Sequence, residues 1–169
     1  LDCLVFATGF EVGTDYARRA GYQLVGRRGE TLTEKWRDGV RTLHGIHIHG
    51  FPNCFMMSIA QSGFTVNFPY MIDQQAKQIA YVVDRALRDG TRTVEVTEAA
   101  EAAWVEAIVA RSVISADFAE QCTPGYYNNE GKPSAASPQN GFFFGGPTEF
   151  VEILEQWRAD GTMPGLDRR

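Results

Sequence analysis

The 169 residues contain no glycine-rich nucleotide loop, although 17 of them are glycine. Neither G-x-G-x-x-G nor G-x-x-x-x-G-K-[ST] occurs. The chain therefore lacks the backbone cradles that hold a pyrophosphate or triphosphate by themselves. Long apolar runs are missing too: the longest falls far short of the ~20 residues that a membrane helix needs. Cysteine is scarce. Cys3, Cys54 and Cys122 form no C-x-x-C pair, and no histidine stands at zinc-finger spacing from them. That pattern speaks against a disulfide framework and for free, mostly buried thiols in a reducing compartment. No excess of positive charge exists: 16 Lys and Arg face 21 Asp and Glu, a net charge of −5. This gives no electrostatic reason to expect nucleic acid or an anionic membrane as partner. The histidines are His44, His47 and His49. On a strand, His47 and His49 would share a face. A cupin-type metal pair also needs a glutamate shortly after, and none follows before Glu95; no metal site is expected. Ser58 and Ser62 lie in no G-x-S-x-G elbow, so a hydrolase nucleophile is not expected either.

What is present describes a globular chain: 44% of the residues are hydrophobic and 22% charged, a balance that excludes disorder as the default. Leu4-Val5-Phe6-Ala7, stopped by Thr8-Gly9, reads as a buried strand. Such a strand suits the centre of a parallel sheet and needs neighbours on both sides, of which the sequence offers few. Residues 12–42 read as loop-rich. The turn Gly50-Phe51-Pro52-Asn53 leads into a second apolar run over 54–60, another expected buried strand, closed by Gln61-Ser62-Gly63. Next comes the clearest helix. Asn67 is its N-cap, and Pro69 stands in the first turn, where its missing N–H costs nothing. Met71, Ile72, Ile79, Val82, Val83, Ala86 and Leu87 recur at helical spacing, and Asp89-Gly90 ends it. Strand, tight turn and helix N-terminus in this order place free N–H groups and positive dipole over a ligand.

Residues 93–96 alternate as a short strand. A second helix opens at Thr97-Glu98 and runs to about Ser115, with Trp104, Val105, Ile108 and Val109 on one face. Residues 122–147 are irregular yet aromatic (Tyr126, Tyr127, Phe142, Phe143, Phe144), as in a long loop packed by its own side chains. A last helix is expected over about 148–160, with Thr148 as N-cap and Phe150, Val151, Leu154 and Trp157 on its buried face.

Three segments carry a resemblance when taken together and in order. They are Asp2-Cys3-Leu4-Val5-Phe6-Ala7-Thr8-Gly9-Phe10, then Gly50-Phe51-Pro52-Asn53 with the strand, turn and helix that follow, then Cys122-Thr123-Pro124-Gly125-Tyr126-Tyr127-Asn128-Asn129-Glu130-Gly131. The first resembles the D-x-x-x-x-A-T-G-[FY] signature of the flavin-containing monooxygenase superfamily. With Gly145-Gly146-Pro147, the set resembles the C-terminal portion of its Baeyer–Villiger monooxygenases, in the subgroup acting on steroids and large-ring ketones. The resemblance covers essentially the whole chain. It implies an α/β fold: a partial FAD-binding, Rossmann-like unit of a two-dinucleotide-binding-domain flavoprotein over 1–90, then a helical, loop-rich C-terminal region over 91–169.

The resemblance also implies a reaction, the insertion of one oxygen atom of O2 beside a ketone carbonyl, with FAD and NADPH as cofactors, in the cytoplasm. Ala7, Thr8 and Gly9, with Val66, Asn67 and Phe68 at the helix N-terminus, would approach the cofactors. Ser62, Gly63, Phe64 and Thr65 would shape the ketone pocket, with a loop bulkier than the Gly-Pro-Gly-Ser form common in the family. Tyr126, Tyr127 and Asn128 would either wall the substrate side or pack their loop, while Trp36 and Asn53 would be structural. The family's glycine motifs and its active-site arginine lie upstream of the matching stretch. The chain is thus expected to be a fragment starting after them, inactive alone, with the missing N-terminal part as its partner and no catalytic residue of its own. Two other readings stay open: an N- or S-oxidising flavin monooxygenase fragment, against which residues 122–131 argue, and a non-catalytic α/β binding module.

Overall fold

The computed structural model describes residues 3–4, 16–113, 121, 136 and 138–169. The expected strand over 4–7 and the segment 122–131 lie almost wholly outside them. Two short helices come first, α1 (Tyr16–Ala20) and α2 (Leu32–Lys35). They are followed by α3 (Phe68–Arg88), β1 (Val94–Val96), α4 (Glu98–Arg111), α5 (Pro147–Asp160) and β2 (Leu166–Arg168). Among the described residues the only sheet is β1 paired antiparallel with β2, Glu95 opposite Asp167.

The expected buried strand over 54–60 does not form. His47 bridges Phe55, and Met56 N–H donates to the Ile46 carbonyl, but no ladder develops. An apolar run becomes a strand only where neighbouring strands take its N–H and C=O groups. Among the described residues only these isolated contacts are made, and Met57 stays 47% exposed.

The helices follow local chemistry more closely. Asn67 caps α3, its side-chain oxygen accepting the Tyr70 N–H at 3.3 Å. Asp89 caps the other end and Gly90, at φ 68°, turns the chain away. Thr97 caps α4, accepting the Ala100 N–H at 3.2 Å. This helix stops at Arg111, earlier than expected, and Val109 lies on its exposed side. Gly146 rather than Thr148 caps α5, because Pro147 already occupies the first helical position, where its fixed φ is at home.

One core joins Leu43, Met71 and Val82 to Val94, Trp104, Ile108, Phe143, Phe150, Leu154, Trp157 and Leu166. A smaller cluster of Leu32, Ile48 and Phe51, backed by Trp36 and Cys54, lies beneath the Gly50–Asn53 turn. Two buried glutamates fasten that turn to β1 and α4. Glu95 accepts the Arg27 guanidinium at 3.0 Å and the Gly50 N–H at 2.9 Å. Glu101, 1% exposed, accepts the Lys35 ammonium at 3.0 Å, the Arg41 guanidinium at 3.4 Å and the His49 N–H at 2.8 Å. Buried carboxylates are tolerable only when satisfied to this degree. Asn53, at φ 55°, completes the attachment by exchanging hydrogen bonds with Val94 through both its backbone and its side chain.

Candidate cofactor and substrate site

The loop before α3 is built upward from Gln61, which has no exposed surface and a φ of 57°. Its side-chain oxygen accepts the Thr42 N–H at 2.9 Å and the Thr42 hydroxyl at 2.7 Å. Its side-chain nitrogen donates to the carbonyls of Val40 at 2.6 Å and Gln139 at 3.0 Å. Its own carbonyl accepts the Trp104 indole N–H at 2.9 Å. A buried amide with all its partners in place is a clamp rather than a reactive group.

Ser62, placed by the sequence in the ketone pocket, is fully buried. Its hydroxyl donates to the Ser58 carbonyl and accepts from the Gln75 amide at 3.0 Å. Gly63 is also enclosed: a Cβ there would meet Met71 Cε at 2.6 Å and Phe150 Cδ1 at 2.7 Å. Only glycine fits against these two side chains without a shift.

Beyond Gly63 the loop turns outward. Phe64 packs on Phe142 with ring centroids 4.8 Å apart, and Phe142 on Phe144 at 4.3 Å. Thr65 and Tyr70 share a cleft of about 300 Å3 with Pro147, Thr148, Val151 and Glu152. Val66 is wholly exposed, and Phe68 and Tyr70 are 40% and 43% exposed. The N–H groups of Val66, Asn67 and Phe68 have no partner among the described residues, and Pro69 has none to offer. An anionic edge could sit on these donors with an apolar face beside it, against Val66 and Phe68. That combination fits an isoalloxazine ring.

The structure thus brings Phe64, Thr65, Val66, Asn67 and Phe68 to one exposed end of α3, with Ser62 and Gly63 behind them as scaffold. Ala7, Thr8 and Gly9, and likewise Tyr126, Tyr127 and Asn128, lie outside the described residues. Sequence reasoning named Phe142 and Phe144 only as loop packing. The approach of Phe142 to Phe64 spans nearly eighty positions, and the one signal for it was the aromatic density of 142–144.

The histidines stand elsewhere. His44 is packed edge-on against Trp104 at 4.8 Å, and burial pushes its imidazole down to about 3, helped by His47. Burial likewise pushes His47 down to about 4. His44 Nδ1 and His47 Nε2 are buried and have no hydrogen-bond partner among the described residues. His49 Nδ1 lies 2.8 Å from the Val96 carbonyl. Among the described residues no three His, Cys, Asp or Glu side chains are grouped to hold a metal ion.

No protein-family model matches the chain. Curated relatives match it from end to end. A pentalenolactone D synthase of Streptomyces exfoliatus is 48% identical over 100% of the chain and 29% of its own length. An FAD-binding monooxygenase of Hypomyces subiculosus is 40% identical over 99% of the chain and 28% of its own length. A Baeyer–Villiger monooxygenase of Stachybotrys chlorohalonatus is 38% identical over 98% of the chain and 27% of its own length. The chain is a relative of the Baeyer–Villiger monooxygenases. Solved structures agree. A polycyclic ketone monooxygenase of Thermothelomyces thermophila superposes with a TM-score of 0.78 at 33% identity, over 91% of the chain and 25% of its own. A steroid monooxygenase bound to NADP gives a TM-score of 0.71 at 26% identity, over 89% of the chain and 27% of its own. The chain therefore spans less than a third of the length of the Baeyer–Villiger monooxygenases and other relatives it matches. Among the described residues no helix is long and apolar enough to cross a membrane.

Proposed function

We propose that this chain forms part of an FAD- and NADPH-dependent monooxygenase that converts a ketone into an ester or lactone. One oxygen atom of O2 enters beside the carbonyl and the other leaves as water, with NADPH supplying the two electrons. The observation that carries the reading is the end of α3, where the unpartnered N–H groups of Val66, Asn67 and Phe68 meet exposed apolar side chains. FAD, when bound, supplies the redox chemistry. The residues of this chain orient and enclose.

Backbone N–H groups at 66–68 would hold negative charge at the O2/N1 edge of the ring, where a preorganised donor is worth most. Phe64 and Thr65, with Phe142 and Phe144 behind them, would wall the ketone and exclude water. Ser62 and Gly63 would act through them by fixing the loop. Ala7, Thr8 and Gly9 are proposed to come close to the cofactors.

The remaining cofactor contacts, including both glycine-rich loops, would come from an N-terminal part of the same enzyme. The division into 1–90 and 91–169 is then one of role and not of packing, since Leu43, Met71 and Val82 share a core with Trp104 and Leu154. A self-contained binding module is the poorer reading, because Leu4, Met57 and Val66 are left 68%, 47% and 101% exposed. We place the enzyme in the cytoplasm.

The test is a graft. The matching stretch of the pentalenolactone D synthase is replaced by this chain, and flavin absorbance, NADPH oxidation and ester formation from ketones are measured. A flavin-loaded graft that forms ester supports the reading, and a colourless, inactive one overturns it. The chain alone is expected to retain no stoichiometric flavin. A yellow chain that oxidises NADPH unaided would overturn the proposed division of labour.

A further inference from the structure

Phe142 and Phe143 are adjacent in sequence and serve different purposes. Phe143 is 1% exposed and stacks on Trp104 at 5.5 Å, inside the core. Phe142 packs instead on Phe64 at 4.8 Å. A slip of one residue along this segment would put the wrong ring in each place. The register of the segment therefore decides what stands beside Phe64.

Two backbone bonds tie the segment to the loop before α3. The Gln61 N–H donates to the Gly141 carbonyl at 2.7 Å, and the Phe143 N–H donates to the Ser62 carbonyl at 2.8 Å. Phe142 lies between these ties. A third stretch of chain completes the hold. The Asn140 side-chain oxygen accepts the Val40 N–H at 2.8 Å. The Gln139 side chain donates to the Val40 carbonyl at 2.8 Å, where the Gln61 side chain also donates at 2.6 Å. Gly39 makes room for this meeting: at φ 123°, a Cβ there would come within 2.8 Å of the Gln139 amide.

These bonds differ in what they specify. Gln61 reaches only backbone groups of the segment, which almost any residue supplies. Gln139 and Asn140 meet Val40 through their own side chains. Their flanking residues, Pro138 and Gly141, carry no side-chain amide. A shift of one position in either direction thus forfeits one of the two bonds to Val40.

We infer that Gln139 and Asn140 are positioning residues for the ketone: they set where Phe142 stands against Phe64, and through that ring which ketones are accepted. The inference rests on the proposed function, in which those two rings wall the ketone. A misplacement of about 1 Å at a group that positions substrate costs on the order of a hundredfold in rate. Loosening one of several ties should give a smaller effect, about tenfold.

The experiment uses the graft described above. Asn140→Ala removes the acceptor at an exposed position, and Asn140→Asp keeps an oxygen there. The alanine variant is expected to change the ratio of kcat/KM between a polycyclic and a monocyclic ketone about tenfold, with flavin content unchanged. It should also speed hydrogen exchange at the Phe143 N–H about tenfold, since the segment then opens more often. The aspartate variant should restore both. In a Phe142→Ala background the ratio should no longer respond to residue 140, because the ring being positioned is gone. An unchanged ratio in a flavin-loaded graft, an aspartate variant no better than alanine, or a full response without Phe142 would each overturn the inference and leave the proposed function standing. Faster exchange in a colourless graft would support the hold on Phe142 and overturn the flavin reading instead. Unchanged exchange overturns the inference whatever the colour.

Discussion

Gln61 has no exposed surface and Val66 has all of its own, although five positions separate them on one loop. The difference is one of hydrogen-bond supply. Residues 61–63 spend their polar groups on Val40, Thr42, Ser58, Gln75, Gln139 and Trp104. Residues 66–68 leave theirs unspent. A cofactor edge needs donors that are fixed in place yet unoccupied. The loop meets both needs by anchoring one half and presenting the other.

Acid should strike the anchored half hardest. Gly45 packs directly under Ser62, where a Cβ would come within 2.7 Å of the serine Cβ, and His44 precedes it. The folded pKa values of His44 and His47, about 3 and about 4, lie below the usual 6.5. The unfolded chain therefore binds protons first as pH falls. Stability should be flat above pH 6.5, fall by about 1.4 kcal/mol per histidine per pH unit below it, and level off near pH 3. Denaturant titrations from pH 7.5 to 4 measure this. No loss across that range would mean that these imidazoles are not buried as neutral groups.

The next effect concerns the clamp itself. Gln61→Leu removes the acceptor shared by the buried Thr42 N–H and the buried Thr42 hydroxyl. It should cost about 3 kcal/mol in unfolding free energy, from two buried polar groups left unsatisfied. A cost under about 1 kcal/mol would show that water replaces the amide and that the loop's two halves are less different than drawn.

Val66→Ser probes the presented half and should be the mildest change. A wholly exposed side chain that neither caps the helix nor touches the core shifts stability by about 0.5 kcal/mol or less when replaced. In the graft the same change should alter ketone preference or flavin retention. A large loss of stability in the chain alone would make residue 66 part of the scaffold and erase the comparison.

The two halves were also unequally legible. The opening of α3 could be read from Asn67 and Pro69, and its end from Asp89-Gly90, because caps act over three or four residues. The buried face of α5 was legible from Phe150, Val151, Leu154 and Trp157 for the same local reason. Its N-cap was misplaced at Thr148 because Pro147 at the first helical position moves the start upstream. The run at 54–60 looked like a strand because the apolar pattern reports burial potential and not the presence of neighbouring strands. The role of Gln61 was illegible, since its partners lie 19, 21, 43 and 78 positions away. The site residues at 62–68 came from the family resemblance, which does not separate the anchored residues of the loop from its exposed ones.

Those separations also bear on how the molecule assembles. The bonds of Gln61 close only after segments up to 78 positions distant have arrived. Contacts of such span are made slowly, because the chain entropy they cost comes before the stabilisation they return. Until then a primary amide and several backbone groups remain hydrated. Gln61 is therefore a late event on the folding path, and it should govern how fast the native loop reopens more than how fast it forms.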